Sequence, residues 1–274
     1  MKKLTHFTVI GLLSLASCVQ AKLTTAKIFS SHMVLQRDLA SPVWGWDTPG
    51  AAVTVNFAGQ QQTATTNQHG RWQVKLSPMP ANTTAQQMTI IGADGETITY
   101  NNILIGDVWI CSGQSNMEWS VKQSHNPQQE IAAANHPQIR LFNVQGHTVA
   151  SAPQEQLSIA TSWQPCNPTS VTNFSAVGYY FGRNLYQQSG VPIGLLGTNW
   201  GGTRVEPWTP PVGFRKQPEL ATLSKKIDAQ LIETQAGKAA WSNYAKQVGQ
   251  WSASVQQAVG EGRNVPPAPT SPGP

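Results

Sequence analysis

The residues best suited to chemistry lie in one run, Gly113-Gln114-Ser115-Asn116-Met117. A serine hydroxyl becomes a nucleophile when a base removes its proton and nearby N–H groups stabilise the oxyanion formed on attack at a carbonyl. Ser115 follows the apolar run Val108-Trp109-Ile110-Cys111 by a few residues, and Gly113 permits a sharp turn between them. A turn at the carboxyl end of a buried strand is where an α/β fold presents a reactive side chain. A helix starting at Asn116 would aim its free N–H groups towards Ser115. The strained elbow G-x-S-x-G is not formed, because Met117 stands at the second glycine position. On spacing alone, a serine that merely caps a helix is the commoner explanation.

A second segment, Gly197-Thr198-Asn199-Trp200-Gly201-Gly202-Thr203, also follows an apolar run. The Asn199 amide can donate to an oxyanion, and Gly201 and Gly202 let backbone N–H groups come close to a ligand. Taken alone, a plain glycine-rich strand-to-loop turn is the better explanation. Trp119, Trp200 and Trp208 could stack on a ring, and Arg204 and Glu206 could line a pocket or pair with each other. No CxxC or HExxH metal pattern occurs.

Two kinds of element must position these residues. From residue 25 to about 105 the chain alternates short apolar–polar runs with turn signals. Strands are expected at 33–35, 42–46, 52–57, 71–76, 88–91 and 97–100. Thr48-Pro49-Gly50, His69-Gly70 and Ala93-Asp94-Gly95 supply turns, which suggests a small antiparallel β-sandwich. Near Asn102 the pattern changes. Nearly continuous apolar strands at 103–111, 139–144 and 192–197 read as members of a parallel sheet. Phe174, Val177, Phe181 and Leu185 fall at helical spacing between the last two, and Gly190 closes that helix. Strand, helix, strand indicates a doubly wound parallel α/β sheet. Residues 223–259 are polar and helix-prone, with Trp241, Tyr244 and Trp251 as packing residues, and 265–274 is a proline-rich linker. The expected division is a leader at 1–21, a sandwich at 22–103, part of an α/β domain at 104–264 and the linker at 265–274.

Composition narrows the function. The 274 residues are only 11% charged, with 23 Gly, 19 Pro and 10 Trp, a profile common among exported β-rich proteins that handle sugars. Part of the net charge of +5 sits in Lys2 and Lys3, and no basic run exceeds Lys225-Lys226, so no footprint for nucleic acid is visible. Lys2, Lys3, the apolar run 7–19 and Val19-Gln20-Ala21 form a secretory signal too short to remain as a membrane span, and no later stretch is apolar enough to be one. A periplasmic or secreted location follows. Leu15-Ala16-Ser17-Cys18 offers a competing reading, a lipobox with a lipid anchor at Cys18. Cys111 and Cys166 are expected as unpaired thiols.

The block Asp107-Val108-Trp109-Ile110-Cys111-Ser112-Gly113-Gln114-Ser115-Asn116-Met117-Glu118-Trp119 resembles the first block of the sialate O-acetylesterase family of SGNH (GDSL-like) hydrolases. Trp200-Gly201-Gly202-Thr203-Arg204-Val205-Glu206-Pro207-Trp208 resembles its later W-G-G-T block, and Phe174-Ser175-Ala176-Val177-Gly178-Tyr179-Tyr180-Phe181 the helix between them. Met33-Val34-Leu35-Gln36-Arg37 and Pro42-Val43-Trp44-Gly45 also fit, so the likeness covers about residues 25–215. The resemblance implies a carbohydrate O-acetylesterase in which Ser115 attacks the acetyl carbonyl of an O-acetylated sugar such as 9-O-acetyl sialic acid, with no metal or organic cofactor. The Ser115 N–H, the Asn199 amide and a glycine N–H would form the oxyanion hole. Gly178 and Gly201 are the glycine candidates, with Gly202 beside them, while Gln114 and Asn116 would tie down the loops. An acetylxylan or other polysaccharide deacetylase is the alternative enzyme, and a non-catalytic carbohydrate-binding protein or inactive fragment the alternative class.

One part of the family pattern does not match. The base should come from a late Asp-x-x-His block, yet none of Asp38, Asp47, Asp94, Asp107 and Asp228, nor any Glu, has a His three residues on. His6 is in the leader, His32 and His69 in the sandwich, and His125, His136 and His147 precede the third apolar strand. The resemblance therefore implies that the base lies outside these residues, as in a chain cut short.

Overall fold

A computed structural model describes residues 22–144 and 154–272. The leader with His6 and Cys18, and His147, lie outside the described residues.

The first elements are β1 (Thr24–Thr25), β2 (Val34–Gln36), β3 (Ser41–Trp46), β4 (Ala52–Phe57), β5 (Gln60–Thr65), β6 (Arg71–Leu76) and β7 (Asn82–Ile91). Burial alternates along β3, β4 and β6, as it must where one face meets a core and the other water. β1, β3 and β6 form a three-stranded sheet. Val43, Trp72, Val74 and Leu76 on that sheet join Val53, Val55, Phe57, Met88 and Ile90 on β4 and β7 in one buried cluster. β5 was not foreseen, because Gln60-Gln61-Gln62-Thr63-Ala64-Thr65 has almost no apolar residue to show a period. It is specified by its neighbour: Ala58 and Gly59, both at positive φ, make a two-residue turn that pairs Phe57 with Gln60.

β8 (Thr97–Gly113) fuses the two strands expected at 97–100 and 103–111. Asn102 lies within it at φ 56, a conformation an Asn tolerates. The first part of β8 pairs antiparallel with β7, from Thr97↔Ile91 to Ile105↔Asn82. Residues 104–106 pair parallel with β2. From Asp107 to Gly113 the partner is β11 (Ile193–Asn199), also parallel.

The elements between β8 and β11 are α1 (Ser115–Glu118), α2 (Pro127–Ala133), β9 (His136–Asn143), β10 (Gln164–Cys166), α3 (Pro168–Val171) and α4 (Ala176–Ser189). β9 is parallel to β11, and β10 antiparallel to β9. The result is one mixed eight-stranded sheet, in the order β10-β9-β11-β8-β7-β4-β5 with β2 also on β8. The fold is mixed α/β, and its parallel strands continue the sheet of the antiparallel part.

α4 covers one face of the parallel strands, where Ile193, Leu195, Ile139, Leu141, Cys111 and Tyr179 are buried together. The opposite face carries Phe142, which is buried with Trp163 and the sandwich residues, and among the described residues no second helix layer takes that place. Gly190 ends α4 at φ 68, as its position predicted. Buried Arg140 ties β9 to the Asn102 turn, donating to the carbonyls of Pro137, His32 and Asn102 and to Asn102 Oδ1. Burial pulls its pKa down to about 10.

Beyond β11 come α5 (Pro211–Arg215), α6 (Ala221–Gln230) and α7 (Gln235–Gly260). Thr234 caps α7, its Oγ1 accepting from Gly237 N–H at 2.9 Å. Trp241 meets Tyr244 edge-to-face and donates to Gln230 O, and Trp251 donates to Pro266 O, so the three aromatics do pack. Among the described residues no helix is long and apolar enough to cross a membrane.

Candidate active site

β8 ends at Gly113, whose φ of 137 only glycine adopts freely. That residue turns the chain out of the sheet and into α1, where Ser115 is the first helical residue. The helix is a single turn and starts one residue before the expected Asn116. Gln114 is its N-cap: Gln114 Oε1 accepts from Ser115 N–H at 3.2 Å and from Ser115 Oγ–H at 2.7 Å. Gln114, Ser115 and Asn116 are exposed. Asn116 makes no side-chain bond to either loop among the described residues, whereas Gln114 ties down Ser115 itself.

The second segment arrives at the same place because β11 lies beside β8. Asn199 is the register partner of Gly113, and Trp200 N–H donates to Gly113 O at 2.9 Å. Gly201 follows, and a side chain there would place its Cβ 3.8 Å from Ser115 Cα. Gly201 N–H donates to Glu118 Oε2 at 2.9 Å. Gly202, at φ 77, turns the loop. The loop is braced by Thr203 Oγ1–H donating to Trp200 O, and by Trp208 Nε1–H donating to Thr203 Oγ1. The Asn199 side chain has no partner among the described residues. The two loops that the sequence singled out are therefore neighbours, joined by backbone pairing between β8 and β11.

Gly178 lies elsewhere. It is in the first turn of α4, where its N–H donates to Ser175 Oγ at 3.1 Å. A Cβ on it would fall 2.9 Å from Cys111 Sγ, so glycine allows α4 to sit directly on β8. Ser175 is a joint as well as a cap. Its Oγ lies 3.2 Å from Met117 Sδ, Ala176 N–H donates to Trp119 O, and Val121 N–H donates to Phe174 O. These bonds hold the chain after Ser115 against the start of α4. Cys111 and Cys166 are both free and buried, as expected, and burial pushes their thiols up to about 11 and about 12.

Among the described residues the histidines do not converge on Ser115. His32 Nδ1 is 2.9 Å from Asn102 Nδ2, and His136 lies in tilted contact with Tyr179, with ring centroids 6.4 Å apart. His125 is exposed, and His69 lies in the turn before β6. Among the described residues the hydroxyl of Ser115 donates to Gln114 and to no histidine. Trp119 is 52% exposed, with its indole N–H on Gln123 O, and Trp200 and Trp208 are half-buried. Arg204 is exposed, and it forms no ion pair with Glu206 among the described residues. Glu118 is the residue that sequence reasoning passed over. The available signal was its charge, an acid in an otherwise nearly uncharged block, four residues after Gln114.

The family model for carbohydrate esterase, sialic acid-specific acetylesterase, matches residues 105–257. The chain belongs to that family. It is 35% identical over 203 residues to the sialate O-acetylesterase of Mus musculus and 34% identical to that of Homo sapiens. Each alignment covers 67% of this chain but only 37% and 38% of those relatives, so the chain spans little more than a third of their length. A solved carbohydrate acetylesterase from Xanthomonas citri is 34% identical with a TM-score of 0.66, over 72% of this chain and 44% of that one. The esterase-family match begins at residue 105, within β8, and includes both loops and α4.

Proposed function

We propose that this chain supplies the nucleophile side of a carbohydrate O-acetylesterase site, with Ser115 as the attacking group. The observation that carries this reading is the approach of Gly201 to Ser115 at the carboxyl ends of two paired parallel strands. Ser115 Oγ attacks the acetyl carbonyl of an O-acetylated sugar. Its proton passes to a base, the sugar hydroxyl leaves protonated, and water then hydrolyses the acetyl-serine. The oxyanion takes N–H donors from Ser115, once that N–H leaves Gln114 Oε1, from the unpartnered Asn199 amide and from the glycine loop. Within that loop Gly202 suits the role better than Gly201, whose N–H already serves Glu118, and Gly178 N–H is committed to Ser175. Asn116 and the exposed Trp119 face the solvent where a sugar would enter.

The names of the mammalian relatives favour O-acetyl sialic acid over acetylxylan, and a panel of both substrates separates them. The division of labour is a sandwich at 22–103 and a hydrolase part at 104–264. The Lys-led apolar run at 1–21 supports export to the periplasm or beyond, with Cys18 as the alternative lipid anchor.

The test is exposure of the 274-residue chain to 4-nitrophenyl acetate and an O-acetyl sialic acid, beside Ser115→Ala. Turnover is expected to be very weak, because no Asp-x-x-His is present, while mass spectrometry finds acetyl on the Ser115 peptide of the wild type alone. Absence of that label would remove Ser115 as nucleophile. Substantial turnover that vanishes in Ser115→Ala would instead place a base among His125, His136 and His147.

A further inference from the structure

We infer that Glu118 is a positioning residue, whose carboxylate holds the loop 200–203 against Ser115; the inference rests on the reading of Ser115 as nucleophile. Two hydrogen bonds between described residues fasten the loop to the Ser115 segment. One is a backbone bond, Trp200 N–H to Gly113 O, which any sequence could make. The other is the bond from Gly201 N–H to Glu118 Oε2 at 2.9 Å, which joins residues 83 positions apart and depends on one side chain. The backbone of Glu118 is itself held, because its N–H donates to Gln114 O at 3.0 Å within the single turn that begins at Ser115. A Cβ on Gly201 would fall 2.3 Å from Glu118 Oε2 and 3.8 Å from Ser115 Cα, so the carboxylate and the serine border the same side of this glycine. A bond from an N–H to a carboxylate is shorter and stronger than one to a neutral acceptor. Donors must stand within a fraction of an ångström of their working place to stabilise an oxyanion. Glu118 sets that place for the loop that follows Asn199 and contains Gly202.

The proposal is tested on the full chain by two measurements. Amide hydrogen exchange reads the clamp directly. In Glu118→Ala, exchange at Gly201 should rise about tenfold or more, while Ile139 and Leu195 in the sheet stay protected and report an intact fold. Acetylation of Ser115 by 4-nitrophenyl acetate reads the consequence, and its rate should fall about tenfold. Glu118→Gln keeps an acceptor oxygen and should restore both readings to within about threefold of wild type. Glu118→Asp is one methylene too short and should behave as Glu118→Ala does, which keeps the test alive if the alanine variant does not fold. Unchanged exchange at Gly201 in folded Glu118→Ala, or Glu118→Gln as defective as Glu118→Ala, would overturn the inference. Failure of the esterase reading looks different. In that case Ser115 is not acetylated in any variant, including the wild type, while the exchange pattern at Gly201 still follows residue 118. Ser115→Ala should leave Gly201 exchange unchanged.

Discussion

The two ends of β8 belong to one strand and have opposite characters. In the first, residues 97–106, Ile103, Leu104 and Ile105 are fully buried, β7 and then β2 supply partners, and Asn102 is bonded to Arg140. In the second, residues 107–113, β11 is the one partner strand among the described residues. There Trp109 is 45% exposed and Ile110 70% exposed. The first end is fixed where residues 103–106 are buried on both faces of the sheet. The second is held by a ladder on one edge and by α4 on one face, and it carries Ser115. The difference teaches that the anchoring of the candidate site lies behind it, in the sandwich, while its own surroundings are held by a few specific bonds.

Two tryptophans offer the sharpest way to break this contrast. Trp72, 1% exposed in the sandwich cluster, should cost about 3–5 kcal/mol of stability when changed to alanine. Trp109 meets Phe181 edge-to-face at 5.0 Å but is half in water, and Trp109→Ala should cost about 1 kcal/mol. Urea unfolding of the two variants decides it, and equal losses would mean that the two ends are equally anchored. Next, Ser175→Ala removes the cap that joins α4 to the segment after Ser115, with an expected loss of about 1 kcal/mol. Amide exchange should rise at 117–121 more than in β7, localising the effect to the site end.

A smaller effect concerns pH. Burial, reinforced by the Arg140 charge, holds His32 below its ordinary 6.5, and burial with Arg183 does the same for His136. With the folded pKa values lowered, the unfolded chain gains protons first as pH falls. Stability from these groups is therefore present above 6.5 and is lost as pH falls through 6.5 towards the folded values. The urea midpoint should be lower at about pH 5.5 than at about pH 7.5, with a weaker drop in His32→Asn. A midpoint that rises on acidification would refute this assignment. The smallest effect on stability is expected for Ile110→Lys, within about 0.5 kcal/mol, since the side chain is already in water. The same change should reduce concentration-dependent light scattering, because a charge on an open strand edge discourages pairing with other chains.

Much of this molecule could be read from its residues. The alternation in β4 and β6 and the stop at Gly190 are local signals, and both strands and the end of α4 fell where those signals put them; the stripe read on α4 did not, since Val177 and Phe181 are exposed while Ala176, Gly178, Tyr179 and Gly182 are buried. The block around Ser115 and the Trp200-Gly201-Gly202-Thr203 turn were legible as chemistry because residue type alone limits what they can do. Other features were not local. β5 has no period of its own and exists because β4 offers it an edge. β8 looked like two strands because its pattern changes at Asn102, where the sheet passes from one side covered to both. The partnership of Glu118 with Gly201 joins residues 83 apart, and no spacing rule connects them. The sequence by itself determined which groups could react and which segments were strand or helix, since both follow from nearest neighbours and side-chain chemistry. Only the tertiary structure decided that β11 lies beside β8. That pairing brings the two loops together, because a parallel register sets the ends of two distant strands side by side.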